Sequence, residues 1–249
     1  MPPINVLHGA SMRVLQRVGS TRPPGPLGWP SLEFVRSNGG GRHRFDDPLG
    51  SDSEYTVLYA AEERRDCFAE TLDQYRVTFD EIAALVDRLP PDQQLDEEEF
   101  ESLLARPIPE VYFERKRLAS FAILGMPPFL DVRLSATDTA DALSVDPHLA
   151  PVLGALGLRR LTPSDLVSGD RRLTQAVSRW SYEREFGGIA FNGSHTPHDS
   201  ECWALFSGRT EILSVGSAAS IDRHDPDLLA VARRFNLIVP ESPPLLDSA

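Results

Sequence analysis

The pattern of hydrophobic and polar positions predicts strands and helices in irregular alternation. Residues 55–61 are almost wholly apolar and rich in β formers, which is typical of a strand buried on both faces. The residues that follow repeat apolar side chains at helical spacing and predict an amphipathic helix. Its apolar side is predicted to contain Cys67, Phe68, Thr71, Leu72 and Tyr75.

The remaining elements follow from the same patterns and from capping signals. Thr78 and Glu81 have the spacing of a capping box, and Asp225 is the predicted cap of a terminal helix. The other predicted strands cover 11–18 (at a sheet edge), 32–35, 110–124 (one or two strands), 129–134, 188–191, 201–207 and 212–221. The other predicted helices cover 78–89, 95–105, 135–150, a short segment after 161–165, 171–186 and 225–235. Strands dispersed among helices without a regular βαβ order predict an α+β fold with a mixed, mainly antiparallel sheet.

The length of 249 residues suits one domain spanning 1–249. We place its core at about 12–220, a helical insertion at about 79–109 and a disordered proline-rich tail from about 240. The acidic run at 96–99 is interpreted as a solvated helix face, because metal ligands have to converge from several directions.

Net charge, cysteine content and hydropathy exclude several classes of protein. A net charge of −12 argues against direct nucleic-acid binding, although a local positive pocket for a phosphate stays compatible with it. The two cysteines, Cys67 and Cys202, form no disulfide framework and are interpreted as small core residues. The sequence has neither a signal-peptide pattern nor an apolar run long enough to cross a bilayer, so we expect a cytoplasmic protein without membrane contact.

The residues with candidate chemistry begin at the glycine loop 39–41. Arg44 follows this loop, Tyr59 lies near the end of the predicted buried strand, and Glu70 lies on the next helix. The three side chains can meet at one edge of a sheet. Alternatively, Arg44 is a surface cation, Tyr59 a core aromatic residue and Glu70 a solvated helix residue. Periodicity does not decide between these interpretations.

Five short motifs in a fixed order resemble the RES domain family, which is named for an arginine, a glutamate and a serine. They are Gly41-Arg42-His43-Arg44-Phe45, Leu58-Tyr59-Ala60-Ala61, Ala69-Glu70, Gly188-Ile189-Ala190-Phe191-Asn192-Gly193-Ser194 and Ala204-Leu205-Phe206. No single motif is specific, but the ordered set is, and it covers about 12–220. The resemblance implies a core similar to ADP-ribosyltransferases, with a cleft that takes NAD as substrate and no separate cofactor.

The resemblance also implies residue roles. Arg44 would hold phosphate, Tyr59 would line the nicotinamide pocket, Glu70 would be the catalytic carboxylate and Ser194 would fix the substrate. These roles suit the chemistry, since a carboxylate stabilises the oxocarbenium-like ribose formed when nicotinamide leaves, and an arginine can clamp the pyrophosphate.

Two positions beside these residues depart from the family pattern. Phe45 stands where some members have tyrosine, and His195 stands where an arginine is frequent. Both are retained as expected substrate-binding residues.

The function implied by the resemblance is that of a toxin of a toxin–antitoxin pair that cleaves NAD by hydrolysis or phosphorolysis. The implied partner is an Xre-like antitoxin that covers the cleft. An ADP-ribosyltransferase acting on a protein and a non-catalytic RES-like binding module are the alternatives.

The loop at 194–199 also suggests two other kinds of site. Ser194, His195 and Asp199 are the residue types of a hydrolase triad, but triad partners normally come from distant segments, and the chain has no G-x-S-x-G elbow. His195, His198 and Cys202 are possible metal ligands, but Cys202 begins an apolar strand. A polar active-site loop without metal is the preferred interpretation.

Overall fold

A computed structural model describes residues 3–8, 13–39, 41, 43–89, 95–125, 127–168, 170–193 and 200–241. Its strands are β1 (Val6–Leu7), β2 (Val14–Ser20), β3 (Val57–Ala61), β4 (Arg106–Pro107), β5 (Lys116–Leu124), β6 (Phe129–Asp131), β7 (Gly188–Phe191), β8 (Cys202–Phe206), β9 (Glu211–Ser214), β10 (Ala219–Ser220) and β11 (Leu237–Ile238). The predicted tail lies almost wholly outside the described residues.

The helices lie between the strands along the chain. They are α1 (Leu32–Ser37), α2 (Arg64–Leu72), α3 (Phe79–Val86), α4 (Glu97–Leu104), α5 (Glu110–Arg115), α6 (Thr137–Ser144), α7 (Ala150–Ala155), α8 (Pro163–Leu166), α9 (Arg171–Glu183) and α10 (Pro226–Arg234). Short 3₁₀ turns cover Gly50–Asp52 and Asp73–Tyr75. The predicted capping box of Thr78 and Glu81 and the Asp225 cap are confirmed. No described helix is long and apolar enough to cross a membrane.

The predicted α+β class is confirmed, with a mixed and mainly antiparallel sheet. Nine of the described strands form one sheet in the order β1-β6-β7-β8-β3-β2-β5-β10, and β9 also pairs with β5. Within that sheet β6 and β7 pair in parallel, and the other pairs are antiparallel. A separate parallel pair joins β4 to β11.

Both faces of the central strands are covered. In β8, Ala204 and Phe206 contribute to the larger core, which is packed with helices, whereas Trp203 and Leu205 contribute to a smaller core on the opposite face. Trp29 packs against this second core. Period-two alternation thus gives each central strand two buried faces.

Four sequence-based predictions are wrong. Residues 32–35 form a helix because Ser31 accepts a hydrogen bond from the amide of Phe34 and caps α1. Residues 110–115 also form a helix, entered through Pro109. The strand predicted at an edge, β2, lies between β3 and β5. Its polar Arg17 is tolerated there because the guanidinium donates to two backbone carbonyls. The strand predicted at 212–221 is divided into β9 and β10.

The segment predicted as an insertion contains α3, α4 and β4. None of its described residues from 79 to 104 is buried, whereas α2, which precedes it, has five buried residues. This contrast separates a packed part of the chain from an exposed helical hairpin.

Candidate functional site

The glycine loop is held in place by α9 and by its own aspartates. The side-chain amide of Gln175 donates to the carbonyls of Gly41 and His43, and Ser178 donates to the carbonyl of Phe45. A β-carbon added to Gly41 would lie 1.9 Å from that of Asp46, so this close turn requires glycine.

Tyr59 joins the loop to the sheet. Its hydroxyl donates to Oδ1 of Asp46 at 3.1 Å and accepts from the amide of Phe45 at 2.9 Å. Burial, and then the negative charge of Asp46, raise the pKa of Tyr59 well above its ordinary value. The phenol is therefore neutral at physiological pH, and its ring lines a cavity beside the loop.

Arg44 and Glu70 form an ion pair in the lining of that cavity. Nη2 of Arg44 lies 3.7 Å from Oε2 of Glu70, with side-chain exposures of 13% and 35%. Nη1 donates to the carbonyl of Val167 at 3.1 Å, and the guanidinium carbon lies 4.8 Å from the ring centroid of Phe191. The Val167 carbonyl and the Phe191 ring thus hold the Arg44 guanidinium in place. The Glu70 carboxylate lies next to it at the cavity wall.

The cavity has a volume of about 480 Å³. It is lined by Arg17, Val18, His43, Arg44, Tyr59, Ala60, Ala61, Cys67, Glu70, Thr71, Asp73, Lys116, Arg171, Phe191 and Cys202. It is therefore built from β2, β3, β5, β7 and β8 together with α2, the start of α9 and the glycine loop.

Positive charge is concentrated in this lining. The lining contains four cations and two carboxylates, although the whole chain has a net charge of −12. The cations are Arg17, Arg44, Lys116 and Arg171, and the carboxylates are Glu70 and Asp73. Within the described part of the chain, Arg17, Lys116 and Arg171 form no ion pair. Burial, and then the nearby charge of Arg17, lower the pKa of Lys116. A bound anion would relieve this repulsion, so the walls suit a phosphate-bearing ligand.

The two cysteines in the lining are poor nucleophiles. The thiol of Cys67 donates to the carbonyl of Gln16 at 3.0 Å, and burial raises its pKa to about 12. Burial, followed by the charge of Glu70, also raises the pKa of Cys202. Both thiols stay protonated at neutral pH, which is consistent with their interpretation as buried structural residues.

No protein-family model and no curated protein matches the chain. Among solved structures, it is similar to a chain of the M. tuberculosis MbcT–MbcA toxin–antitoxin complex. The TM-score is 0.45 and the sequence identity 13%, over 93% of this chain and 91% of that chain. A likeness at this level establishes neither a family nor an activity.

The structure brings Arg44, Tyr59 and Glu70 to one cavity, as the sequence motifs suggest. Phe45 lies elsewhere: its ring is fully buried and packs 4.9 Å from the ring of Phe191. It supports the cavity wall from behind and does not form it, because a fully buried ring has no surface to offer a ligand. Ser194 and His195 lie outside the described residues.

Arg17, Lys116 and Arg171 are cavity residues that the sequence motifs did not indicate. They come from β2, β5 and α9, so their convergence depends on tertiary structure. Arg17 gave no signal of its own, because the pattern of residues 11–18 predicts an edge strand, in which an arginine can face solvent.

No cluster of metal ligands occurs among the described residues. The candidate metal ligands His195 and His198, and the candidate triad residues Ser194, His195 and Asp199, lie outside them. Cys202 is buried and lines the cavity.

Proposed function

We propose that this protein cleaves the bond between nicotinamide and ribose in NAD. The observation that carries the proposal is the placement of Glu70 opposite Arg44, 3.7 Å apart, in a cavity with cationic and aromatic walls. The RES resemblance of the five motifs supports the same assignment. NAD is the substrate in this proposal, and no additional cofactor takes part.

In the proposed reaction the C–N bond between the ribose C1′ and the nicotinamide nitrogen breaks. Its electron pair goes to that nitrogen, which loses its formal positive charge, and the ribose develops the positive charge. The Glu70 carboxylate stabilises this charge electrostatically. An oxygen of water or of phosphate then bonds to C1′, and the proton of the attacking group passes to solvent.

The other walls suit the rest of the dinucleotide. Arg44 and the three cations Arg17, Lys116 and Arg171 offer positive charge to the pyrophosphate. The neutral ring of Tyr59 offers an aromatic surface to nicotinamide. Since the Tyr59 hydroxyl is already engaged by the loop, its role in the proposal is shape and stacking, and not proton transfer.

The test is release of nicotinamide from NAD by the purified full chain, with and without phosphate. Glu70→Gln and Arg44→Ala are expected to lower the rate about 10²- to 10³-fold, the usual cost of removing one electrostatic group from a transition state. Glu114→Gln and Arg22→Ala alter exposed residues away from the cavity and are the matched controls. Stability of Glu70→Gln should change by no more than about 1 kcal/mol, because the ion pair is partly exposed.

The products identify the acceptor. ADP-ribose indicates hydrolysis, and ADP-ribose-1″-phosphate indicates phosphorolysis. If nicotinamide is not released under any condition, the proposal for free NAD fails, and transfer of ADP-ribose to a protein, or a binding role, remains to be tested.

The biological role proposed with this activity is that of a toxin held in check by an Xre-like antitoxin. It is supported by the resemblance of the motifs to RES toxins. Induced expression of the wild-type chain is then expected to arrest growth, whereas Glu70→Gln at equal protein level does not. Equal toxicity of both chains would contradict a role that depends on NAD cleavage.

A further inference from the structure

The hairpin of α3 and α4 leaves its apolar side chains uncovered. Phe79 is 90% exposed, Val86 50% and Leu103 52%, and no described residue from 79 to 104 is buried. Helices of eight residues are marginal in water without tertiary packing. An amphipathic pair of this kind, left open, is typical of an interaction surface.

A groove of about 310 Å³ runs between the two helices. Its apolar walls are Val77, Ala84, Leu85, Leu103 and Leu104. Glu81, Arg88 and Arg106 also line it, and Glu81 and Arg106 form an ion pair of 3.0 Å. The groove is therefore mainly apolar, with Arg88 as the one charged lining residue outside the Glu81–Arg106 pair.

The hairpin that carries the groove is strongly acidic in sequence, and Glu81 is the acidic residue that lines the groove. Residues 79–104 contain nine acidic residues and one arginine, a net charge of −8 out of the −12 of the whole chain. Three of the acidic residues, Glu97, Glu98 and Glu99, form the first turn of α4. An apolar groove with such a rim is complementary to an apolar surface flanked by lysine or arginine.

We propose that this groove binds an amphipathic helix of a partner protein, with apolar side chains in the groove and basic side chains against the acidic rim. A cleft between two helices fits the helix-in-groove mode, whereas addition of a strand needs unpaired backbone groups at a sheet edge. A second copy of this chain is disfavoured because it would bring two hairpins of charge −8 together. The proposal does not depend on the proposed NAD cleavage.

The probe is a labelled synthetic helical peptide with leucines on one side and lysines on the other, titrated with the full chain and followed by fluorescence anisotropy. We expect saturable binding that weakens as salt is added. A peptide with glutamate in place of every lysine should not bind. Equal binding of the two peptides would overturn the proposal.

Matched variants locate the binding surface. Leu103→Ser is expected to weaken binding about tenfold, the effect of withdrawing one leucine from an apolar contact. Leu213→Ser, at a 56% exposed leucine of β9, should leave binding unchanged. Glu98→Lys should weaken binding, whereas Glu114→Lys, which changes the net charge equally at an exposed position of α5, should not.

Two outcomes would contradict this location. One is an equal loss of binding in the hairpin variants and in their controls, which would indicate general attraction to an acidic protein. The other is sedimentation of the free chain as a dimer that Leu103→Ser dissociates, since the groove would then be occupied by a second copy. All four substitutions are at exposed positions, and thermal unfolding checks that the fold is unchanged.

Discussion

The cavity wall and the α3–α4 hairpin are neighbours in sequence but are stabilised in opposite ways. In β3, every residue except Tyr59 is buried, and α2 buries five residues against the sheet and α10. Six residues after α2 the hairpin begins, where capping boxes of Thr78 with Glu81 and of Asp96 with Glu99 organise helices that bury no residue.

The comparison teaches that helical structure has two sources in this chain. Near the cavity, long-range packing fixes the strands and helices that carry the cavity side chains. In the hairpin, local capping fixes the helices, and their apolar faces remain available. A rigid part suits a reaction, which needs side chains held in place, and an open part suits association.

The largest expected difference between the two regions is the cost of removing a phenyl ring. Phe206 is fully buried between Tyr55 and Tyr182, and Phe206→Ala should lower the free energy of unfolding by about 3–5 kcal/mol. Phe79→Ala, the same change at a 90% exposed position of α3, should lower it by less than about 0.5 kcal/mol. Urea unfolding measures both. Comparable losses would mean that the hairpin is packed against the rest of the chain.

A smaller effect is expected from adding one methyl group to the glycine loop. Gly41→Ala forces the loop away from Asp46 and should cost about 1–3 kcal/mol, with a parallel loss of ligand binding, because Asp46 also holds Tyr59. Gly154→Ala is the control, since no atom lies within 4 Å of the added carbon and the position is inside α7. There, local helix propensity should stabilise the chain by up to about 1 kcal/mol. Similar effects at both positions would show that the loop is not fixed by close contact.

The smallest expected effects are changes in folding stability with pH, which should occur in alkali for the packed region and in acid for the hairpin. Burial raises the pKa values of Tyr55, Tyr59 and Tyr112 in the packed region. Their contribution to stability is complete below the unfolded value of about 10 and is lost as the pH rises above it towards the folded values. In the hairpin, the Thr78 amide and then Arg106 lower the pKa of Glu81 from its ordinary 4.5. That contribution is present above 4.5 and is lost as the pH falls through the lowered value.

Phenolate absorbance and circular dichroism measure these two transitions. In alkali, the three buried phenols should ionise only when the sheet unfolds. In acid, the helix signal should fall first, while the sheet is still intact. Glu81→Gln, which removes the titrating carboxylate, should remove the acid-sensitive step and leave the alkaline one. Ionisation of all five tyrosines near pH 10 before unfolding would contradict the burial of the three named phenols.

Local signals in the sequence predicted the hairpin and the buried strand well. The capping box at Thr78 and the apolar run ending at Ala61 depend on residues near each other in the chain. The helix at Leu32–Ser37 was missed because four residues of mixed polarity fit a strand as well as a helix, and the deciding hydrogen bond to Ser31 is a single contact.

The site was only partly predictable for the opposite reason. Arg44, Tyr59 and Glu70 lie within a short stretch whose loop, strand and helix follow one another, so their meeting could be anticipated. Lys116 and Arg171 reach the same cavity from β5 and α9, and no spacing rule connects them to Glu70. The central position of β2 likewise depends on its pairing with both β3 and β5.

The double engagement of Tyr59 has a consequence for how this chain can evolve. The ring forms part of the cavity while the hydroxyl holds the glycine loop, so this one side chain has two separate roles. Replacement by phenylalanine would keep the aromatic surface but release the loop, and replacement by a smaller polar residue would lose both. Selection for a new ligand therefore has to act through the other walls, and Tyr59 is expected to be among the last positions to vary in a divergent lineage.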